Sequence, residues 1–212
     1  MRGRRGQRNG EPNSILRGGA ALLAVLVAVA LLAAGCGSAQ EENDNASTTR
    51  TTAPAEDNAA GDIPDNQAFV PYRSDTGGFE LKVPEGWART DGANSVMFTD
   101  RLNIIQVNWQ TTTTPPSVQR ANAQDVPALQ SSQPGFQLRQ VATVKMPAGT
   151  AVRIDSQEDS PTNSVTGKKY RLDVYRYEFF QNGKQAILML SAPVGADNVD
   201  PWRIVSESFK WR

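Results

Sequence analysis

Apolar and polar residues alternate with a period of two along much of the chain from Phe79 onward, the signature of strands that bury one face. In the first clear strand, Phe79 to Val83, the residues Phe79, Leu81 and Val83 alternate with Glu80 and Lys82. Pro84-Glu85-Gly86 then turns the chain and returns Trp87 towards the core. Two more strands are predicted at Ser95 to Thr99 and Leu102 to Gln110, joined by the tight Asp100-Arg101 connection. In the second, Ile105, Val107 and Trp109 share one face, with Ile104, Gln106 and Asn108 on the other. Two long strands, Phe136 to Met146 and Thr150 to Gln157, follow on either side of Pro147-Ala148-Gly149.

The strongest local pattern runs from Tyr170 to Leu190, where Asn182-Gly183 separates two apolar runs. A type I′ hairpin turn needs positive φ at both central residues, and Asn-Gly supplies it. Gln181 then faces Lys184, which places Tyr175, Tyr177 and Phe179 on one face with Ala186, Leu188 and Leu190. The opposite face mixes Val174, Arg176, Glu178 and Phe180 with Ile187 and Met189, too apolar for open water. A helix layer on each side of the sheet satisfies both faces.

Helical spacing is confined to two places. Thr111 to Pro116 ends a strand, because two prolines cannot donate to a ladder, and Ser117 is placed to cap a helix running to about Gln124. Asp125, Val126 and Pro127 are expected to cap and restart it. Near the C-terminus, Asp200-Pro201 reads as N-cap and first-turn proline of a helix whose buried stripe is Trp202, Val205 and Phe209. Short helices around strands joined mostly by tight turns give an α+β domain on an antiparallel sheet.

The N-terminal part has a different pattern. Arg2, Arg4, Arg5, Arg8 and Arg17 precede the apolar run Ala20 to Ala34, whose 15 residues fit the core of a secretory signal, whereas a spanning helix wants about 20. Ala33, Ala34 and Gly35 lead into Cys36, the single cysteine, in the manner of a bacterial lipobox with Ala33 where leucine is usual. The expectation is a lipoprotein signal peptide over residues 1–35 and diacylglyceryl transfer to Cys36, anchoring the chain on the outer face of the cell membrane. The competing reading is an uncleaved transmembrane helix; both place the remainder outside. From Gly37 to Asn66 there is no aromatic residue, and seven acids stand against Arg50 alone, so residues 36–66 are expected to be a disordered acidic tether. Its Thr-rich piece Ser47 to Thr52 offers sites for O-linked sugars. Residues 67–212 are the expected globular domain, +2 in net charge.

Charge and composition exclude several functions. Beyond residue 35 the chain carries 17 basic and 21 acidic residues, which is not the balance of a nucleic-acid binder. The absence of histidine removes imidazole-based triads and general bases and histidine-ligated zinc; one cysteine permits neither an intrachain disulfide nor a thiolate cluster. No SxxK pattern occurs. No catalytic set, cofactor or metal is therefore assigned.

Four groups of side chains remain. Asp155, Glu158 and Asp159 can hold calcium or form an exposed, solvated turn before Pro161, and the turn is the reading taken. Asp173 and Glu178 are candidate carboxylates for a hydrolase, against an ordinary ion pair of Glu178 with Arg176. Trp87, Trp109, Trp202 and Trp211 either belong to the core or line a carbohydrate or peptide groove, Trp211 being the least constrained. Lys168, Lys169 and Arg171 form a basic tip, a solvated loop or a contact for anionic lipid or wall polymer.

Phe79-Glu80-Leu81-Lys82-Val83-Pro84-Glu85-Gly86-Trp87 resembles the FxxxxPxGW opening of PsbP/Mog1-like domains, and Trp202 to Ser208-Phe209 resembles their closing helix and Ser-Phe ending. The similarity covers about residues 78–211. Actinobacterial lipoproteins of the LpqN and LpqT type likewise place such a domain behind a lipobox and a polar linker. The resemblance implies an α/β/α sandwich with a central antiparallel sheet, and a role in binding or assembly. The expected function is thus a lipid-anchored, non-enzymatic binding or assembly module of the cell envelope, with a bilayer and an envelope protein or wall polymer as partners. A carboxylate-based wall hydrolase and a solute-capturing lipoprotein are the alternatives.

Overall fold

The computed structural model describes residues 59–212. Seven strands form one fully antiparallel sheet: β3 (Ala88–Gly92), β4 (Ser95–Asp100), β5 (Asn103–Thr111), β6 (Gln137–Met146), β7 (Gly149–Asp159), β8 (Arg171–Gln181) and β9 (Lys184–Pro193), in the spatial order β3-β4-β5-β9-β8-β7-β6. A second sheet of three strands holds β1 (Phe69–Ser74), β2 (Phe79–Pro84) and β10 (Lys210–Trp211), with β2 in the middle. The helical elements are α1 (Val118–Arg120), a π turn at Ala121–Asp125, α2 (Val126–Ser132) and α3 (Val199–Ser208). Among the described residues no helix is long and apolar enough to cross a membrane.

The β8–β9 register is the one that the turn chemistry dictates. Asn182 and Gly183 both have positive φ, Gln181 pairs with Lys184, and Tyr175, Tyr177 and Phe179 stand opposite Leu190, Leu188 and Ala186. Their common face meets α3 and the small sheet in the main core, where Phe179 stacks on Phe209 at 4.2 Å and Phe209 on Phe79 at 5.4 Å. The other face carries the α1–α2 segment, which seals Val152 and Ile154 under Ala121 and Val126. The layers are therefore α3 with the small sheet, the large sheet, and α1–α2.

Four local details depart from the sequence reading. The strand β3 is fully exposed along its length and held only by β4, so no apolar pattern announces it. The helix does not restart at Asp125: that residue is itself helical, with no capping bond from its side chain, and the chain passes through a π turn. Pro127 explains this, since it has no N–H to give and its ring crowds the preceding turn, which a widened π turn relieves. The α3 N-cap is Asn198, not Asp200, and its side chain is directed elsewhere. Asn198 Oδ1 accepts from the Ile63 N–H at 2.8 Å, and its Nδ2 donates to the Gly61 carbonyl at 3.0 Å and to Asn103 Oδ1 at 3.2 Å. Finally, Ile63 is buried in the main core, so the folded part begins before residue 67.

Candidate binding groove

Strand alternation builds the floor of a groove beside the main core. On β7, Arg153 and Asp155 share the α3-facing side; on β8, Asp173, Tyr175 and Tyr177 lie opposite Gln157, Asp155 and Arg153. Helix α3 walls one side with Trp202, Arg203, Ser206 and Glu207, and β6 the other with Arg139, Gln140 and Met146; the cavity measures about 700 Å³. That volume lies within the range of small-molecule sites, about 300–1,000 Å³.

The groove's charges are matched internally. Arg153 grips Asp155 through two contacts, Nε to Oδ1 at 2.7 Å and Nη2 to Oδ2 at 2.8 Å. Its guanidinium also lies over the rings of Tyr175, at 4.9 Å, and Tyr177, at 5.9 Å. Tyr175 meets Trp202 edge to face at 4.8 Å. Asp173 accepts from Gln157 Nε2 at 2.9 Å and faces Arg139 at 3.6 Å, while Arg203 reaches Asp200 at 3.0 Å and Glu207 at 3.9 Å. Burial raises the Asp155 pKa against the pull of Arg153, and burial also raises Tyr175. Burial works against the Arg153 charge, yet Asp155 and Tyr177 hold its pKa above the ordinary value. Such a lining offers aromatic surface with paired donors and acceptors.

The residues singled out from the sequence are spread over the molecule. Of the four tryptophans only Trp202 reaches the groove. Trp109 packs on Phe79 at 5.5 Å, Trp211 packs edge-on against Phe209 at 5.3 Å while pairing with Phe79 in β10, and Trp87 lies against the same core. They do not form one tryptophan-lined cleft. Lys168 and Lys169 are exposed in the loop between β7 and β8, a loop ordered by Asn163 Oδ1, which accepts from the N–H groups of Val165 and Thr166. Arg171 is set apart from them, donating to Asp159 at 3.0 Å and to the Gly135 carbonyl. Cys36 lies outside the described residues.

The acidic run is corrected most. Asp155, Glu158 and Asp159 do not form an exposed turn; they sit on β7, the first two buried, and each meets a different arginine. Asp155 meets Arg153, Asp159 meets Arg171, and Glu158 meets Arg176 through both carboxylate oxygens, Oε2 accepting at 3.0 Å. Among the described residues no three acidic side chains gather to hold a metal.

Arg176 is therefore not the partner of Glu178. Glu178 is 4% exposed, and its side chain accepts one long bond from Gln185 Nε2 at 3.4 Å. Burial, with the charge of Asp125 added, pushes its pKa up to about 7 against a weaker opposing effect of Arg120. Burial also raises Asp125, whose Oδ2 is enclosed without a hydrogen-bond partner. These two carboxylates lie on the helix-covered side, away from the groove.

Arg139, Arg153 and Arg203 are groove residues that sequence reasoning missed. Arg153 and Asp155 are two apart, hence on one side of a strand, but matching them with Tyr175 and Tyr177 requires the β7–β8 register. A long loop joins those strands, so no turn chemistry fixes that register in advance.

No protein-family model matches the chain, and no curated protein does. Solved structures match its shape. Cyanobacterial PsbP from Synechocystis aligns at a TM-score of 0.53 with 13% identity, covering 73% of this chain and 98% of that one. The Saccharomyces cerevisiae Ran-binding protein Mog1p aligns at 0.45 with 12% identity, over 68% and 96%. LpqN of Mycobacterium tuberculosis, described as involved in cell envelope biogenesis, aligns at 0.43 with 15% identity, over 69% and 91%. A Bacteroides thetaiotaomicron protein also matches, at 14% identity and a TM-score of 0.44 over 67% of this chain, which spans about half, 48%, of that protein. The fold is that of PsbP/Mog1-like domains, as the two sequence motifs imply.

Proposed function

We propose that this chain is a lipid-anchored, extracytoplasmic and non-enzymatic binding or assembly module of the cell envelope, and that the groove between α3 and β6–β8 engages its partner. The groove carries the reading. Its floor presents Tyr175 and Trp202 beside arginines that already have carboxylate partners, an arrangement suited to holding a ligand. The apolar run before Cys36 and the acidic stretch after it support the anchor and the spacer. The exposed Lys168 and Lys169 are assigned to contact with anionic lipid or wall polymer.

Proximity labelling on intact cells, followed by co-purification, tests this. The native chain should label a specific envelope neighbour, and Tyr175→Ala with Arg153→Met should lose that neighbour while remaining folded. Labelling unchanged by both substitutions would remove the groove from the proposal. For the anchor, Cys36→Ser should release protein to the medium or leave an unprocessed precursor; unchanged size and membrane retention would favour a retained helix. The second reading, a carboxylate hydrolase of wall sugars, draws on Asp155 and Asp173 opening to the same groove. Turnover of purified wall sugars that is abolished by Asp173→Asn would establish it instead.

A further inference from the structure

The helical layer is attached to the large sheet by apolar contact alone. Ala121 and Val126 are buried on Val152 and Ile154, with Leu129 beside them. The polar side chains of residues 118–132 bond within the segment or to the chain just before it: Arg120 donates to Gln124 and to the Thr114 carbonyl, Asn122 to the Val118 carbonyl, and Ser131 and Ser132 to the Ala128 carbonyl. Among the described residues no hydrogen bond or ion pair joins this segment to a strand. A layer held in this way opens more readily than the sheet beneath it.

Under the layer lies a carboxyl group with nothing to balance its charge. Glu178 is buried directly across from Val152 and accepts a single bond from Gln185, at 3.4 Å. The charged groups around it are either engaged elsewhere or acidic themselves. Arg176, two residues along β8 on the same side, is bound by both oxygens of Glu158 on β7. From the layer above, Arg120 is engaged in the bonds just given, and Asp125 adds a second carboxyl whose Oδ2 is enclosed without a partner. Ile187 on β9 and Thr143 on β6 complete the row, α2 has no charged residue, and Lys145 on β6 is exposed, two strands away. A carboxylate at this position is uncompensated while the layer is closed, and it regains water only when the layer lifts.

We propose that the segment from Val118 to Ser132 is a proton-operated lid, which stays closed on the large sheet while Glu178 is protonated and lifts off Val152 and Ile154 once Glu178 gives its proton to water. The direction follows from linkage. Burial and the charge of Asp125 raise the Glu178 pKa to about 7 with the lid closed, and hydration returns it to the ordinary 4.5. The closed form is therefore favoured in full below pH 4.5 and loses that hold as pH rises to 7. The aromatic core on the other face of the sheet does not involve this group, so the lid opens while the sheet stays intact.

Hydrogen exchange read by mass spectrometry on the full chain in detergent provides the test, with each rate divided by the intrinsic rate at the same pH. Residues 118–132 should exchange ahead of β8 and β9 at every pH, and their corrected opening should rise about tenfold from pH 6 to pH 8. In Glu178→Gln, which keeps the side chain neutral, opening should stay low and flat across this range. Asp125→Asn removes the charge that adds to the Glu178 shift, and the rise should level off at a lower pH. Corrected opening that does not change with pH, that changes equally in Glu178→Gln, or that levels off at the same pH in Asp125→Asn would overturn the proposal. So would exchange of residues 118–132 in step with β8 and β9, since that is unfolding of the whole domain and not the motion of a lid.

Discussion

The two faces of the large sheet are closed by different chemistry. Towards α3 and the small sheet, Phe79, Phe179 and Phe209 stack with their rings 4.2 to 5.4 Å apart, and outside the groove, where Arg153 holds the buried Asp155, the inward residues are mostly apolar. Towards α1–α2 the apolar cluster is small, and the same strands bury Arg176 with Glu158 and the isolated Glu178. The first face gains from area removed from water; the second must balance desolvation against pairing, and its contribution depends on pH. One sheet thus carries a stabilising side and a side whose stability can be adjusted.

The largest expected effect tests the aromatic side. Phe209→Ala removes the ring that joins Phe79, Phe179 and Trp211, and should lower stability by about 5 kcal/mol in urea unfolding, independent of pH. On the charged side, Glu158→Ala leaves Arg176 buried without its carboxylate, and a loss of about 4 kcal/mol is expected. Replacing both by apolar residues of similar volume should recover most of it; no recovery would mean that the pair fixes the packing beyond its own charge balance.

Glu178 supplies the pH dependence. Its folded pKa of about 7 lies above the ordinary value of 4.5, so as pH rises the unfolded chain ionises first and stability is lost between those two values. With respect to this group the native protein should therefore be most stable below pH 4.5, and Glu178→Gln should stabilise it by about 3 kcal/mol at pH 8 with no gain at pH 4. An equal gain at both pH values would trace the effect to packing. The smallest effect concerns the helical lid: Ser117 accepts from the Arg120 N–H at 3.1 Å, and Ser117→Ala should cost about 1 kcal/mol and speed amide exchange in α1.

The same contrast separates what the sequence makes legible from what it does not. Where one face is apolar and a turn is defined, as at Asn182-Gly183, strand, register and core residues all follow from local pattern. The stripe of Trp202, Val205 and Phe209 is read equally well, because burial and helical spacing agree. Where burial is polar, the pattern misleads. Asp155, Glu158 and Asp159 look like a solvated turn because their compensation comes from residues elsewhere on β7 and on β8, through a register that no short turn fixes. Local spacing pairs Glu178 with its neighbour Arg176, which lies two residues away on the same face but turns to β7 instead. The groove shares this origin: Arg153 stacked on Tyr175 is a product of strand pairing. β10 is hidden for another reason, since a two-residue strand has no periodicity to display.

The clamp at Asn198 has a mechanical meaning. Its side chain fastens residues 61 and 63 to the start of α3 and to Asn103 on β5, and Asp62 Oδ1 accepts a further bond from the Asp197 N–H at 2.8 Å. Tension applied through the chain ahead of Ala59 is met first at these bonds, before it reaches any strand of either sheet. The domain would yield by peeling, one short contact at a time, and Asn198 is the rivet that sets the force at which peeling starts.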